Sequence, residues 1–306
     1  MSEVDWETGE TDWNLQARDR LLLVDYNNLL IRATYGMRAD LRTSEGTLVH
    51  GVYGFLKALY ATFKKYRIDN ILCANDSCKS KHRLELFPEY KGQRAKEDKR
   101  TEQEKIEFSQ QWNLTEELLR ALAIPTVKSQ EEHEADDIIG TLAEYYKKDF
   151  DVYILSGDLD FTQLVQPSIF VIKPSRGGKS KVYTEKTFIE EYGFYPINMI
   201  DFKALTGDTS DNIPGVPRVG EVTGKRLVQE YLTVENLYTN LSNVTGVVNT
   251  NLTVNQDLVA RNKQLVKILT DVPINHKSYE LKRIDFRSEN ALDFYTKYEF
   301  ESFMDG

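Results

Sequence analysis

Between Glu131 and Leu164 the chain reads EEHEADDIIGTLAEYYKKDFDVYILSGDLDFTQL. Glu134, Asp136 and Asp137 stand at the head of an apolar run, Ile138, Ile139, Leu142 and Ala143, whose spacing predicts a helix. Carboxylates in a first helical turn can simply complement the partial positive charge of its free N–H groups. The second acidic pair is harder to account for in that way. Val152–Tyr153–Ile154–Leu155 has the pattern of a buried parallel strand, and Asp158 and Asp160 lie just past its carboxyl end. In open α/β sheets that edge is where ligands bind. Like charges this close repel unless a cation lies between them. Hard oxygen donors of this kind suit Mg²⁺ or Mn²⁺.

The elements that must position these acids repeat one theme. Arg20–Leu21–Leu22–Leu23–Val24–Asp25 is a buried-strand pattern that closes on a carboxylate, and a helix carrying Leu29, Leu30 and Arg32 begins directly after it. Asp25 would serve equally as a helix cap or as a ligand. A helix is expected over His50–Tyr66, with Val52, Phe55, Leu56, Leu59 and Phe63 on one face. The run 69–76, DNILCAND, then repeats the strand-to-aspartate pattern, ending on Asp76. Strand–helix–strand order implies parallel pairing with right-handed crossovers, so Asp25, Asp76 and Asp158 are expected at one sheet edge. Further on, Ile169–Ile172 and Lys181–Thr184 are expected to form a hairpin. Short helices are expected over 187–192 and 198–205. The run 206–220, TGDTSDNIPGVPRVG, adds Asp208 and Asp211 and then a Gly/Pro-rich turn ahead of a helix expected over 221–231. Such a turn can hold a phosphate on its N–H groups, or be a turn and nothing more. Residues 233–306 show short helices and a polar stretch over 239–256, and no chemistry is expected of them.

The segment 79–105, KSKHRLELFPEYKGQRAKEDKRTEQEK, is dense in cations with Phe87 and Tyr90 among them. A solvated charged helix would have this composition. So would an element that neutralises a phosphodiester beside the strand-end acids and stacks bases on its rings. The net charge of −9 (39 basic against 48 acidic residues) does not decide between them. With nine carboxylates gathered at one site, the remaining surface is close to balanced. No apolar run approaches the roughly 18 residues of a membrane span. The N-terminus MSEVDWETGETDWN is acidic and lacks a secretory pattern, so a cytoplasmic protein is expected. Cys73 and Cys78 are too few for a disulfide framework or a zinc site.

Taken together these residues resemble the 5′-nuclease (flap endonuclease) family, which includes bacteriophage 5′–3′ exonucleases and the N-terminal nuclease domain of bacterial DNA polymerase I. The resemblance runs from about Leu21 to Leu232 through five motifs in the family's order: LLLVDYNNLLIRA, ANDSCKSKHRLELFPEYKGQR, HEADDIIGTLA, SGDLDFTQLV and LTGDTSDNIPGVPRVGEVTGKRL. It implies that Asp25, Asp76, Glu134, Asp136 and Asp137 hold the metal that prepares the attacking water, and that Asp158, Asp160, Asp208 and Asp211 bind a second metal region. Lys91 and Arg94 resemble the arch residues that meet the scissile phosphate, with Arg32, Arg83 and Tyr90 as companions at the DNA. Gly215, Arg218, Gly220 and Lys225 fall in the duplex-backbone element, where relatives also hold K⁺. His133, Arg218–Val219–Gly220 and Glu221–Val222 depart from the commoner family pattern.

The expected fold is α/β: a PIN-like, Rossmann-like, mostly parallel twisted sheet flanked by helices, with a helical arch and a helix–three-turn–helix. The expected division is a flexible arm over 1–19, a nuclease core over 20–200 with the arch at 79–113, and a helical DNA-binding region over 201–306. No polymerase region follows the nuclease motifs, so a stand-alone nuclease of phage type is the nearest match. The expected activity is hydrolysis of phosphodiesters at 5′ ends, flaps or branched junctions by two Mg²⁺ or Mn²⁺ ions. The expected partners are flapped or branched DNA and RNA–DNA hybrid, the expected state a monomer. Two rivals are a PIN-type ribonuclease, which needs neither the arch nor the Gly-rich element, and a catalytically silent branched-DNA-binding protein, against which the full set of acids argues.

Overall fold

A computed structural model of the chain describes residues 18–36, 40–76, 80–93, 100–129, 132–175, 180–275 and 281–304. Cys78, Arg94 and all but the last two residues of the 1–19 arm lie outside the described residues. In chain order the core contains β1 (Arg20–Asp25), α1 (Tyr26–Gly36), α2 (His50–Tyr66), β2 (Asn70–Asn75), α3 (Lys81–Leu86), α4 (Glu102–Ala121), β3 (Thr126–Lys128), α5 (Ala135–Tyr146), β4 (Asp151–Leu155), β5 (Ile169–Pro174), β6 (Ser180–Tyr183) and α6 (Glu185–Tyr192). Then follow α7 (Met199–Thr206), the two-residue strands β7 (Gly207–Asp208) and β8 (Ile213–Pro214), α8 (Glu221–Tyr231), α9 (Val234–Thr239), α10 (Gly246–Val254), α11 (Gln256–Val266) and α12 (Glu289–Lys297).

The main sheet runs β3-β2-β1-β4-β5-β6, with every pairing parallel except β5 with β6. The chain leaves β1 outward through β2 and β3, then returns to the other flank of β1 as β4. That reversal opens a crevice at the carboxyl ends of β1 and β4, the place where doubly wound sheets bind ligands. Register brings the strand ends level: Val24 pairs with Leu155 and Asp25 with Ala74.

Alternation along the strands builds two cores. Leu21, Leu23, Leu72, Val152 and Ile154 face α5 and the C-terminal helices. Leu22, Val24, Ile71, Cys73, Tyr153 and Leu155 face α1, α2, α4 and α12. Burial on both faces is why these strands read as continuous apolar runs. The N-terminus of α2 has no cap of its own. Gln111, fully buried on α4, supplies one: its Oε1 accepts from the N–H groups of Gly51 (2.9 Å) and Val52 (3.1 Å), and its amide donates to the Leu48 carbonyl at 2.6 Å.

Two features differ from the sequence expectation. Glu102–Ala121 is one 20-residue helix that begins at a capping box of Thr101 and Glu104, so the last residues of the charged segment share a helix with the buried Leu118 and Leu119. The 206–220 run is also more than a turn, because Gly207–Asp208 and Ile213–Pro214 pair as a short antiparallel ladder. Gly207 adopts φ +75°, and a Cβ on Gly215 would collide with the Thr206 carbonyl, which explains both glycines.

Candidate active site

Each strand-end acid is held by its neighbours. Asp25, the last residue of β1, is buried; one carboxylate oxygen accepts from the Asn28 N–H at 3.2 Å and the other from the Ser156 hydroxyl at 2.7 Å. Burial, and then the charges of Asp158 and Asp76, push its carboxyl up to about 6. Asp76 follows β2, where the Asn27 side chain clamps its backbone through contacts of 3.0 and 3.1 Å and Ser129 donates to its carboxylate at 3.2 Å. Its carboxyl is raised by burial and by Glu134. Asp158 accepts from the Asp160 N–H at 2.9 Å, in a loop pinned by Ser156. Asp136, in the first turn of α5, is raised well above the carboxylate range by burial, then by Asp25, Asp158 and Glu134. Acids from β1, β2, β4 and α5 therefore repel one another across the crevice.

Two lysines stand among the acids. Lys91 Nζ is 2.8 Å from Glu134 and 3.9 Å from Asp211. Lys203, on α7, bridges Asp160 and Asp208, lying 2.5 Å from the latter. Burial would raise Asp208, but Lys203 and the Ser210 hydroxyl bring it down to about 2. The strand-end acids, Glu134, Lys91 and the 208–211 loop thus belong to one electrostatic system.

Three residues expected at the metal or the DNA have other work. Both oxygens of Asp137 are taken by Arg83, at 2.6 and 2.8 Å, and they also accept from the N–H groups of Leu269 (2.9 Å) and Glu134 (3.1 Å). In this arrangement the buried Asp137 carboxylate has both oxygens engaged by protein donors, so it offers no free lone pair to the crevice. Arg83, only 4% exposed, spends its remaining donors on the carbonyls of Leu265 and Lys267, both at 3.0 Å, so its guanidinium is engaged within the fold. Tyr90 is 4% exposed, with its hydroxyl 3.0 Å from Glu134 and 2.9 Å from Asp211, so its ring offers no stacking platform.

The other expected DNA contacts are spread out. Arg32 is exposed at the crevice rim and donates to the Pro174 carbonyl at 2.9 Å. A Cβ on neighbouring Gly157 would lie 2.9 Å from its guanidinium. Arg218 is exposed with φ +66°, Gly220 caps α8 facing open space, and Lys225 donates to the Glu191 carbonyl at 2.5 Å while lying over the Tyr192 ring. Arg94 lies outside the described residues.

Among the described residues no three Asp, Glu, His or Cys side chains converge as a ready coordination set. The chemistry still fits divalent cations. The donors are all oxygens, burial and then mutual repulsion raise the carboxyls of Asp25, Asp76 and Asp136, and ammonium groups occupy positions beside Glu134 and Asp208.

Comparison with known proteins agrees with this arrangement. The model for the 5′–3′ exonuclease N-terminal resolvase-like domain matches residues 20–193, and that for the 5′–3′ exonuclease C-terminal SAM fold matches 194–289. The chain belongs to the 5′–3′ exonuclease family. It is 37% identical over 228 residues to a 5′–3′ exonuclease of Bacillus subtilis, covering 73% of this chain and 74% of that one. It is 33% identical over 291 residues to DNA polymerase I of Bacillus caldotenax, covering 94% of this chain and 32% of that protein. The chain thus spans about a third of the length of the polymerases it matches. Among solved structures, T5 5′-exonuclease with divalent metal ions (zinc) bound superimposes with a TM-score of 0.67 at 25% identity, covering 81% of this chain and 89% of that one. The catalytic core of Rad2 in complex with DNA substrate shares the fold, with a TM-score of 0.57 at 16% identity over 92% of this chain and 88% of that one.

Several residues of this family member escaped the sequence reading. Ser156, Asn27 and Asn28 are small polar residues beside the acids, a signal present but unremarkable. Lys203 lies five residues before Asp208 on an ordinary helix, and nothing local marks it. The segment 261–269, from which no chemistry was expected, anchors the foot of the arch: Arg261 lies over the Phe87 ring at 4.2 Å, and the backbone from Leu265 to Leu269 meets Arg83 and Asp137.

Proposed function

We propose that this exonuclease-family chain hydrolyses phosphodiesters at 5′ ends, 5′ flaps or branched junctions of DNA, and of RNA–DNA hybrid as well, using two or more divalent cations. The observation that carries this reading is the charge repulsion among Asp25, Asp76, Asp158, Asp136 and Glu134 at three adjacent strand ends and one helix cap, tied to the 208–211 loop through Lys91 and Lys203. Asp25, Asp76, Glu134 and Asp136 would hold one cation; Asp158, Asp160, Asp208 and Asp211 would hold the other region. When bound, Mg²⁺ or Mn²⁺ polarises the phosphoryl oxygens and makes water a competent nucleophile at neutral pH.

The chain's own residues do the rest. Asn28 and Ser156 fix both oxygens of Asp25, so its rotamer is set before substrate arrives. Tyr90 holds Glu134 and Asp211 at a fixed separation. Lys91, together with Arg94 and Arg32, would neutralise charge that builds on the phosphate. Gly215, Arg218, Gly220 and Lys225 would bear on the duplex backbone, with K⁺ as an added ligand of that element. No helix among the described residues is long and apolar enough to cross a membrane. We take the protein to act as a cytoplasmic monomer.

Incubation of 5′-flapped DNA, a matched RNA and an RNA–DNA hybrid with protein and Mg²⁺, then with EDTA, tests the proposal. Cleavage near the flap junction that EDTA abolishes is the expected result. Cleavage of the RNA alone would favour a ribonuclease, and binding without cleavage would remove the activity.

A further inference from the structure

The two lysines inside the acidic cluster are seated as ions. Lys203 and its partners Asp160 and Asp208 are each largely buried, with side chains 15%, 14% and 10% exposed. The Lys91 ammonium is similarly enclosed against Glu134. Lys91 differs in that its backbone is part of the contact. Its N–H donates to the Asp211 carbonyl at 2.9 Å, and Asn212 Nδ2 donates to the Glu89 carbonyl at 2.7 Å. Tyr90 lies within reach of Asp211 on the same strip. Residues 89–91 are thereby latched to the 208–212 loop, with Lys91 in a left-handed conformation (φ 53°) that a residue with a side chain seldom adopts.

We propose that Lys203 and Lys91 are resident counter-cations, which hold the acids in register and are exchanged for divalent ions, so that metal loading unlatches residues 89–92 from the 208–212 loop. The inference rests on the metal reading given above and concerns how that site is kept and opened. A carboxylate oxygen that receives an ammonium proton at 2.5–2.8 Å has that lone pair engaged. A dication at the same oxygens would also repel the ammonium left beside it. A lysine can leave by rotating its flexible stem. For Lys203 that movement is confined to the side chain. For Lys91 the departure removes the ion pair that ties Glu134 to residues 89–92, and the neighbouring backbone bonds to the loop lose their anchor. The freed ammonium is then available to a phosphate, so that the arch foot releases its hold only once the cations are in place.

The test uses the full chain without DNA, and Ca²⁺ as the probe. Calorimetry should show Lys203→Met binding Ca²⁺ about tenfold more tightly than wild type, because one competing charge is gone. Lys203→Arg, which keeps the charge, should stay within about threefold of wild type. Amide hydrogen exchange on wild-type protein should show faster exchange at Lys91 and Gly92 when Ca²⁺ is added, while β4 amides are unchanged or slower. This second measurement stands on its own if Lys203→Met does not fold. Equal or weaker Ca²⁺ binding by Lys203→Met, or slower exchange at Lys91 on adding Ca²⁺, overturns the exchange of cations. No heat from the wild type with either Ca²⁺ or Mg²⁺ would instead overturn the metal reading itself.

Discussion

Arg83→Met is the most informative single change, because Arg83 joins the arch foot to α5 and to the 265–267 backbone. The substitution keeps most of the volume and removes the charge. It leaves the Asp137 carboxylate, fully enclosed, with only the Leu269 and Glu134 N–H groups, and it strips the Leu265 and Lys267 carbonyls of a donor. Removing one partner of a buried pair costs about 3–5 kcal/mol, since the other charge is left uncompensated. Unfolding entropy near 2.1 cal/mol/K per residue gives roughly 0.6 kcal/mol/K for a chain of this length, so Tm should fall by about 5–8 °C. The pH dependence has a definite sign. Arg83 holds the Asp137 carboxyl below the carboxylate range, against the burial that would raise it. Its ion pair therefore stabilises the fold above the unfolded carboxylate pKa, near 3.9, and that contribution is lost as pH falls through the folded value. In Arg83→Met the stranded carboxyl is raised, so the deficit should narrow between pH 7.5 and pH 5. Arg83→Met/Asp137→Leu, with no charge left to bury, should melt closer to wild type than either single change. Thermal denaturation followed by circular dichroism reads all of this. A deficit under 1 kcal/mol, or a double variant as unstable as the sum of its singles, would refute the reasoning.

Three further outcomes are expected. Asp160→Ala should lower flap cleavage on the order of a thousandfold while branched-DNA binding is largely kept, and activity within about tenfold of wild type in a gel assay would take Asp160 out of the site. Lys91→Ala should slow single-turnover cleavage about a hundredfold with a smaller change in affinity; normal cleavage would reduce the arch foot to a surface element. Lys225→Ala or Arg218→Ala should reduce the salt slope of duplex binding by roughly 0.9 per phosphate contact, and a slope and affinity both unchanged would move the duplex interface elsewhere.

The sheet and the acids were legible in the sequence because both rest on local pattern. A doubly buried strand is a continuous apolar run, and Asp25, Asp76 and Asp158 mark the strand ends directly. Helices over His50–Tyr66 and Glu221–Tyr231 showed in their periodicity for the same reason. What stayed hidden was tertiary pairing. Asp136 and Asp137 are adjacent and identical in type, yet one faces the crevice and the other is enclosed with Arg83. Successive residues of a helix point about 100° apart, and only the position of α3 and of Leu269 decides which of them is covered. Tyr90 and Arg83 looked like members of a basic, aromatic, solvent-facing strip, because composition cannot show that their segment folds inward onto Glu134. Lys203 had no local mark at all.

The supports of Arg83 and Asp137 come from residues 265–269, which lie 182 and 184 positions after Arg83 at Leu265 and Lys267 and 132 after Asp137 at Leu269. During synthesis all the carboxylates through Asp211 leave the ribosome well before that backbone does. Until it arrives, the Arg83–Asp137 pair lacks three of its hydrogen-bonding partners, and the foot of the arch has no floor beneath it. Assembly of the acidic crevice therefore waits on backbone that emerges well after Asp211, since such long-range contacts form only after the intervening segments are ordered.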